Sequence, residues 1–567
     1  MNYPTIDPAT APSTAPSAAL STLGLPSRGS ILRRLSMGAL SCSCILALAP
    51  ALMTSQALAE DEGDSFWTEF IPSTDTRLIF VSSSEGRDSN TGLTADSPVK
   101  SLEKGYALLR DGSPDWMLLK RGDTWNEPLP VWNKSGRSES EIMIVGAYGD
   151  ETVRPQIRPD SISGIRIFGN IAIEHVAFVG MHIEPMDRQP DETLSAIVLL
   201  KSVDNILFED LYVGDWGGGF NLQAYNGAVG TDVRVNGCVV VDSWSATSHA
   251  GGIYAQNIDG LTIENCVLEH NGFNEEQGAD PTIYNHNMYI NNGTKNVIVR
   301  NNIVANASSH GIQLRPGGVV ENNLFLNNPI AVLIGGGTHP DEGGVTGRVT
   351  NNLIMYGRGI SENQPRSWGI DITNIRSAEV SGNILYSALL SANSLGINMR
   401  DHRSDSFGLM DLHVHNNTVV DWPGGLTIGE PGSQSHYENI LVENNSLYLN
   451  TEADNKTMMN AFDSSDSSLT IRGNHYTNIG SDDRAFNDAG RYLDSAAWSS
   501  QVDRQGVFNT GASMPGGLGI DRYMADNGIS GGLDEFIELA RTMSRQHFNP
   551  VIQPASVYEW HAERLPD

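Results

Sequence analysis

The chain has 567 residues, 18% of them charged, with a formal net charge of −31. That acidity opposes nonspecific binding to nucleic acid and to anionic lipid. Four cysteines exclude a disulfide-dense scaffold, and no Cys/His spacing has the form of a metal site.

Residues 1–59 read as a secretory leader. Arg28, Arg33 and Arg34 precede an apolar, small-residue run from Met37 to Leu58, and Ala57-Leu58-Ala59 has the small-x-small form of a cleavage site. Pro50 and Gln56 interrupt the run, which is too weak for a stable span. The reading is a secreted or periplasmic protein with no membrane partner. The leader holds one Asp and three Arg, so its removal makes the chain more negative still. Cys42 and Cys44 leave with it; Cys238 and Cys266 remain, as buried thiols or as a disulfide between neighbouring coils.

Residues 60–164 read as an N-terminal cap with the first strands. Asp61–Thr76 is a linker. Strands are expected at Arg77–Val81, Trp116–Lys120 and Ile142–Val145. Between the first two, Ser97-Pro98 opens a short helix with Val99, Leu102, Tyr106 and Leu109 on one face.

Residues 165–480 carry a repeat. The phrase is Arg300-Asn301-Asn302-Ile303, Glu321-Asn322-Asn323-Leu324, Thr350-Asn351-Asn352-Leu353, His415-Asn416-Asn417-Thr418 and Glu443-Asn444-Asn445-Ser446, with weaker copies at Asp210, Cys238, Cys266, Asn383 and Asn474. Steps run from 21 residues (Asn302 to Asn323) to 36 (Cys266 to Asn302). Alternating segments such as Leu261-Thr262-Ile263-Glu264 make each copy strand rather than helix. The fold class is all-β, a right-handed parallel β-helix of about ten or eleven coils. The inner Asn of each phrase should bond to its equivalents in the coils above and below. Residues 481–567 read as loop and then an amphipathic helix over 534–547 that caps the end or lies along the flank.

Alternation also locates a working face. In Gly252-Ile253-Tyr254-Ala255-Gln256, Asn287-Met288-Tyr289-Ile290-Asn291, Gly311-Ile312-Gln313-Leu314-Arg315 and the later strands, the apolar residues point inward. One outward column holds Asn221, Tyr254, Tyr289, Gln313, Asp371 and Asn398; the other holds Gln223, Gln256, Asn291, Arg315, Thr373 and Arg400. His286 and His310 fall in register before their strands, with His249 nearby. Aromatics, amides, imidazoles and arginines on one face suit a sugar chain lying across the coils.

The stretch Gly311-Ile312-Gln313-Leu314-Arg315-Pro316-Gly317-Gly318-Val319, followed by Asn322 and Phe325, resembles a coil of the chondroitinase B and alginate lyase family. More loosely, the chain is similar to the pectin-lyase-like superfamily of lyases, hydrolases and C5-epimerases. The family resemblance implies that Arg315 acts at the scissile uronate. It also implies a catalytic Lys-Ser pair and calcium-binding acids one coil earlier. Those positions fall on Asn291 and Asn292, and near Tyr284 and His286, so the calcium–lysine machinery is not carried over. No metal or other cofactor is expected, although Asp341-Glu342 and Asp401–Asp405 are acidic enough to be calcium candidates.

Elimination from a uronate needs its carboxylate charge neutralised, which an arginine fork does well. It also needs a base at C5 and an acid at the leaving oxygen, for which His286, His310 and Tyr289 are the candidates. Tyr254, Gln256, Asn291, Gln313, Asp371, Asn398, Arg400 and His249 are expected to bind substrate. The expected partner is an anionic polysaccharide acted on by a monomer. The alternatives are an epimerase, a hydrolase and a noncatalytic glycan-binding protein.

Overall fold

The computed structural model describes residues 66–565 apart from 170, 226, 337–343, 389–392, 402–407, 430–435, 450–456, 478–483 and 510–516. The expected leader, the Asp341-Glu342 turn and most of the Asp401–Asp405 loop lie outside the described residues.

Three sheets of 14, 14 and 13 strands wrap one core, and each coil gives one strand to each sheet. The coil-to-coil pairings are parallel; one antiparallel pair, Phe486–Asp488 with Arg491–Leu493, follows at the end of the third sheet. The stack is longer than the ten or eleven coils expected. Leu78–Val81, Trp116–Lys120 and Met143–Tyr148 are the opening strands of the first sheet, continuous with the later coils. They escaped the count because their corners carry no asparagine. Helix α1 (Leu102–Leu108) starts later than Ser97-Pro98, with Ser101 as its cap accepting from the Lys104 amide. It packs close to Val81 and Met117, where a Cβ on Gly105 would collide with both.

The repeat is explained by two adjacent positions. The first asparagine of each phrase takes left-handed backbone: Asn301, Asn322, Asn351, Asn416 and Asn444 have φ of 54–56°, and Gly382 and Gly473 fill the same slot. Asn and Gly bear that conformation at least cost. The second asparagine turns inward. Asn302, Asn323, Asn352, Asn383, Asn417, Asn445 and Asn474 each donate Nδ2 to the next side chain at 2.9–3.0 Å, and the column ends on Asp503. Cys266 joins it at the other end through its amide, 2.9 Å from Asn302 Oδ1. Both Cys238 and Cys266 are free, buried thiols, so the disulfide alternative is not realised.

Helix α2 (Ser495–Gln501) closes the far end of the core, with buried Trp498 stacked on Phe486 at 4.9 Å. Helices α3 (Ile520–Asp526), α4 (Leu533–Arg541) and α5 (Pro554–Ala562) cover the outer face of the second sheet instead. The expected capping helix is therefore α4, shorter than 534–547, and it lies along the flank. The cause is visible in the strands it covers. Val239, Val241, Ile303, Leu324, Leu326 and Leu353 point outward from that sheet and pack with Phe536, Ile537 and Ala540. Arg541 fixes α4 to the same sheet by donating to Asp242 at 2.8–2.9 Å and to Glu269 at 2.7 Å.

Candidate functional site on the third sheet

The third sheet places the residues that the register predicts. Tyr254, Tyr289 and Gln313 are consecutive cross-strand partners, as are Gly251, His286 and His310. Met288, Ile290, Ile312 and Leu314 face the core, which leaves Tyr289 and Gln313 on the outside.

The histidines are outward yet covered: His286 is 6% exposed and His310 3%. Their Nδ1 atoms lie 3.1 Å apart, and Ser309 Oγ sits 2.9 Å from one and 3.0 Å from the other. Two nitrogens at that distance need one proton between them, so the neutral rings take opposite tautomers. One Nε2 is then a base and the other a hydrogen-bond donor. Burial, then the Arg315 and His249 charges, pull His286 down from the usual 6.5 to about 3. His310 is pushed well below its ordinary value by burial, then by His286 and Arg315. Both imidazoles are neutral at neutral pH.

Tyr289 stands edge-on to His286 at 5.2 Å and to Tyr254 at 5.5 Å. The Tyr254 hydroxyl donates to Gln256 at 3.0 Å and accepts from Asn291 at 2.9 Å, so these three residues form one unit. Burial pushes the Tyr254 phenol up. Arg315 is partly exposed, and one of its nitrogens donates to the Gly336 carbonyl at 2.7 Å. A recess of about 290 Å³ opens beside this group, lined by His249, Tyr254, His286 and Tyr289, and also by Tyr284, Ser195, Gly218 and Gly251. His310, Gln313 and Arg315 are on the same face but outside that recess.

Asp371, Asn398 and Arg400 do not continue the same groove. The coil Ile330–Gly335 intervenes, and it puts Leu333 between Gln313 and Asp371. Ile330, Leu333 and Trp368 form an apolar wall outside the sheet. Beyond it Asp371 is fully buried, accepting from Arg400 at 2.8 and 2.9 Å and from Asn398 at 2.8 Å. The guanidinium groups of Arg366 and Arg400 lie 4.7 and 4.9 Å from the Trp368 ring. The continuous polar face expected from the alignment is thus two polar regions with an apolar partition. Sequence reasoning passed over Tyr284, which is 67% exposed and meets His249 edge-on at 5.6 Å. It also passed over Ser309, whose serine carries no pattern of its own.

Among the described residues, no group of three or more His, Cys, Asp or Glu could hold a metal ion, and no helix is long and apolar enough to cross a membrane.

A family model for the right-handed β-helix region matches residues 194–341. The chain is a right-handed parallel β-helix protein. It is 30% identical over 171 residues to a lacto-N-biosidase of Bifidobacterium longum subsp. longum, a match covering 30% of this chain and a tenth (10%) of that protein's length. Among solved structures, a GH136 lacto-N-biosidase from Eubacterium ramulus aligns at 13% identity and TM-score 0.36, over 76% of this chain and 68% of that one. A mannuronic acid specific polysaccharide family 6 lyase from human gut microbiota aligns at 13% identity and TM-score 0.42, over 81% and 96%. Likeness at this level concerns fold alone.

Proposed function

We propose that this protein is an enzyme that cleaves a uronate-containing polysaccharide by β-elimination on the outer face of the third sheet. The observation that carries the reading is a neutral imidazole pair held beside Tyr289, with Arg315 one coil further on. Arg315 neutralises the uronate carboxylate and so stabilises the charge that develops when C5 loses its proton. A bare imidazole Nε2, assigned to His286, takes that proton. The C4–O bond breaks as the C4–C5 double bond forms, and Tyr289 delivers a proton to the departing glycosidic oxygen. His310 sets the tautomer of His286 through their Nδ1 contact. A bound carboxylate raises the proton affinity of His286 above its value in the free protein. Tyr254 and His249 bind the sugars at the recess, Gln256 and Asn291 bind them beside it through their unit with the Tyr254 hydroxyl, and Gln313 stands on the outward column between Tyr289 and the apolar wall. Asp371, Asn398 and Arg400 serve a more distant part of the chain. The reaction uses no metal.

Hydrolysis is the second reading, favoured by the sequence match to a lacto-N-biosidase. It needs two carboxyl groups about 5–10 Å apart. Asp371, the acid in the outward columns, is committed to Arg400. Incubation with a panel of uronate polymers tests the proposal. Growth of the ultraviolet absorbance of an unsaturated uronate supports it, and chain shortening without that absorbance contradicts it.

A further inference from the structure

The column that carries His286 and His310 loses its side chains in the two coils before them. Its members there are Gly218 and Gly251, preceded by Ser195. Both glycines are partly exposed, and the gap they leave is the floor of the 290 Å³ recess. Tyr254 and Tyr289 form one side, and the exposed Tyr284 ring stands on the rim. That volume lies at the small end of ligand pockets, the scale of a sugar ring or two rather than a longer oligosaccharide. No Lys, Arg, Asp or Glu lines it; its polar groups are hydroxyls, amides and imidazoles. His286, which lines the recess next to Gly251, is buried and its value is pulled down. A carboxylate placed over the two glycines, on the side away from Arg315, would lose water without gaining an arginine or lysine partner, which is unfavourable. A neutral pyranose would place its C–H face on the tyrosines and its hydroxyls on Asn221, Ser195 and the imidazole. Arg315, the cation that suits a uronate, is two to three coils away, roughly 10–14 Å at the usual strand spacing.

We propose that the Gly218–Gly251 slot is a subsite for one neutral, hydroxyl-bearing sugar, so the natural polymer alternates or mixes neutral sugars with uronates. This rests on the reading that a glycan lies across the third sheet, and it narrows the substrate to a heteroglycan rather than a homopolymer of uronic acid.

The test is saturation-transfer NMR on the full chain, with the methyl glycosides of glucose, galactose and N-acetylglucosamine set against that of glucuronic acid. At least one neutral glycoside should receive signal, and any glucuronoside signal should depend on Arg315 rather than on the slot. Gly218→Leu fills the slot from a position whose nearest obstacle is the Ser195 hydroxyl rather than backbone. Tyr284→Ala removes an exposed ring and leaves the core untouched, so it serves if the first variant folds poorly. Each should weaken the neutral signal roughly five- to tenfold, while Arg315→Ala leaves it intact. Signal from the glucuronoside alone, from no glycoside, or surviving both variants overturns the inference. Cleavage of a uronate homopolymer with no neutral binding would remove the slot and keep the lyase; neutral binding without cleavage of any polymer would do the reverse.

Discussion

His286 and His310 meet Nδ1 to Nδ1 at 3.1 Å across adjacent coils, with Ser309 Oγ in reach of both. Protonating both rings would set two Nδ1–H donors against each other and break this contact, so the geometry holds only while at least one ring is neutral.

The first consequence is for stability against acid. His286 has an ordinary value of 6.5 and a folded value of about 3, so the unfolded chain takes up the proton first. The stabilisation is complete above about pH 6.5 and is lost as pH falls from there toward 3. The expected slope is up to about 1.4 kcal/mol per pH unit for each proton. Denaturant midpoints measured from pH 7 to 4 should fall more steeply for the wild type than for His286→Gln. Equal slopes would show that this histidine is not held neutral.

Catalysis should show the same shift. If neutral His286 is the base, the acid limb of kcat/KM lies well below 6.5. A limb at the ordinary imidazole value would assign the proton transfer elsewhere. His286→Ala and Tyr289→Phe should each lower kcat by 10²–10⁴-fold, roughly the worth of one general acid or base. Tyr289→Phe should leave the thermal midpoint nearly unchanged, whereas His286→Ala should lower it by taking a partner from the buried His310.

The asparagine column predicts a local cost. Asn352 accepts from Asn323 and donates to Asn383, both buried. Asn352→Leu takes the acceptor from the buried Asn323 backbone N–H and the donor from the Val320 and Thr350 carbonyls, and should cost about 2–4 kcal/mol. Asn351→Gly, at φ 54°, should cost little. Similar denaturant midpoints for the two variants would contradict the ladder's role.

These two positions also show what the sequence discloses. The ladder is legible because one side-chain type recurs wherever the backbone bends. The register of Tyr254, Tyr289 and Gln313 is legible because alternation is strict in those strands. The coil Ile330-Ala331-Val332-Leu333-Ile334-Gly335 is apolar on both faces, so its outward column could not be told from its core column, and the partition went unseen. The flank position of α4 depends on apolar outward residues of a sheet some two hundred residues earlier in the chain. The histidine–serine triangle arises from coil stacking, which no local pattern encodes.

Arg541 joins α4 to Asp242 and to the nearly buried Glu269. Arg541→Ala leaves both acids without that cation and should cost about 2–4 kcal/mol, somewhat less than a fully buried pair because the arginine is partly exposed. Limited proteolysis should then release the segment from α3 to α5 sooner than in the wild type. An unchanged cleavage rate would show that apolar packing alone holds the flank.

Chelator should leave initial rates unchanged, because Arg315 supplies the positive charge at the carboxylate. Loss of activity with EDTA and its return with calcium would bring a metal into the mechanism.

The bond-breaking step is tested most directly by running the reaction in water enriched in heavy oxygen and weighing the products, for the wild type and for Arg315→Ala. Elimination predicts products that carry no solvent oxygen and one unsaturated uronate per cut. It also predicts a kcat/KM lowered by at least about 10²-fold in the variant. Heavy oxygen at every new chain end, or an Arg315→Ala enzyme with wild-type turnover, would contradict the account.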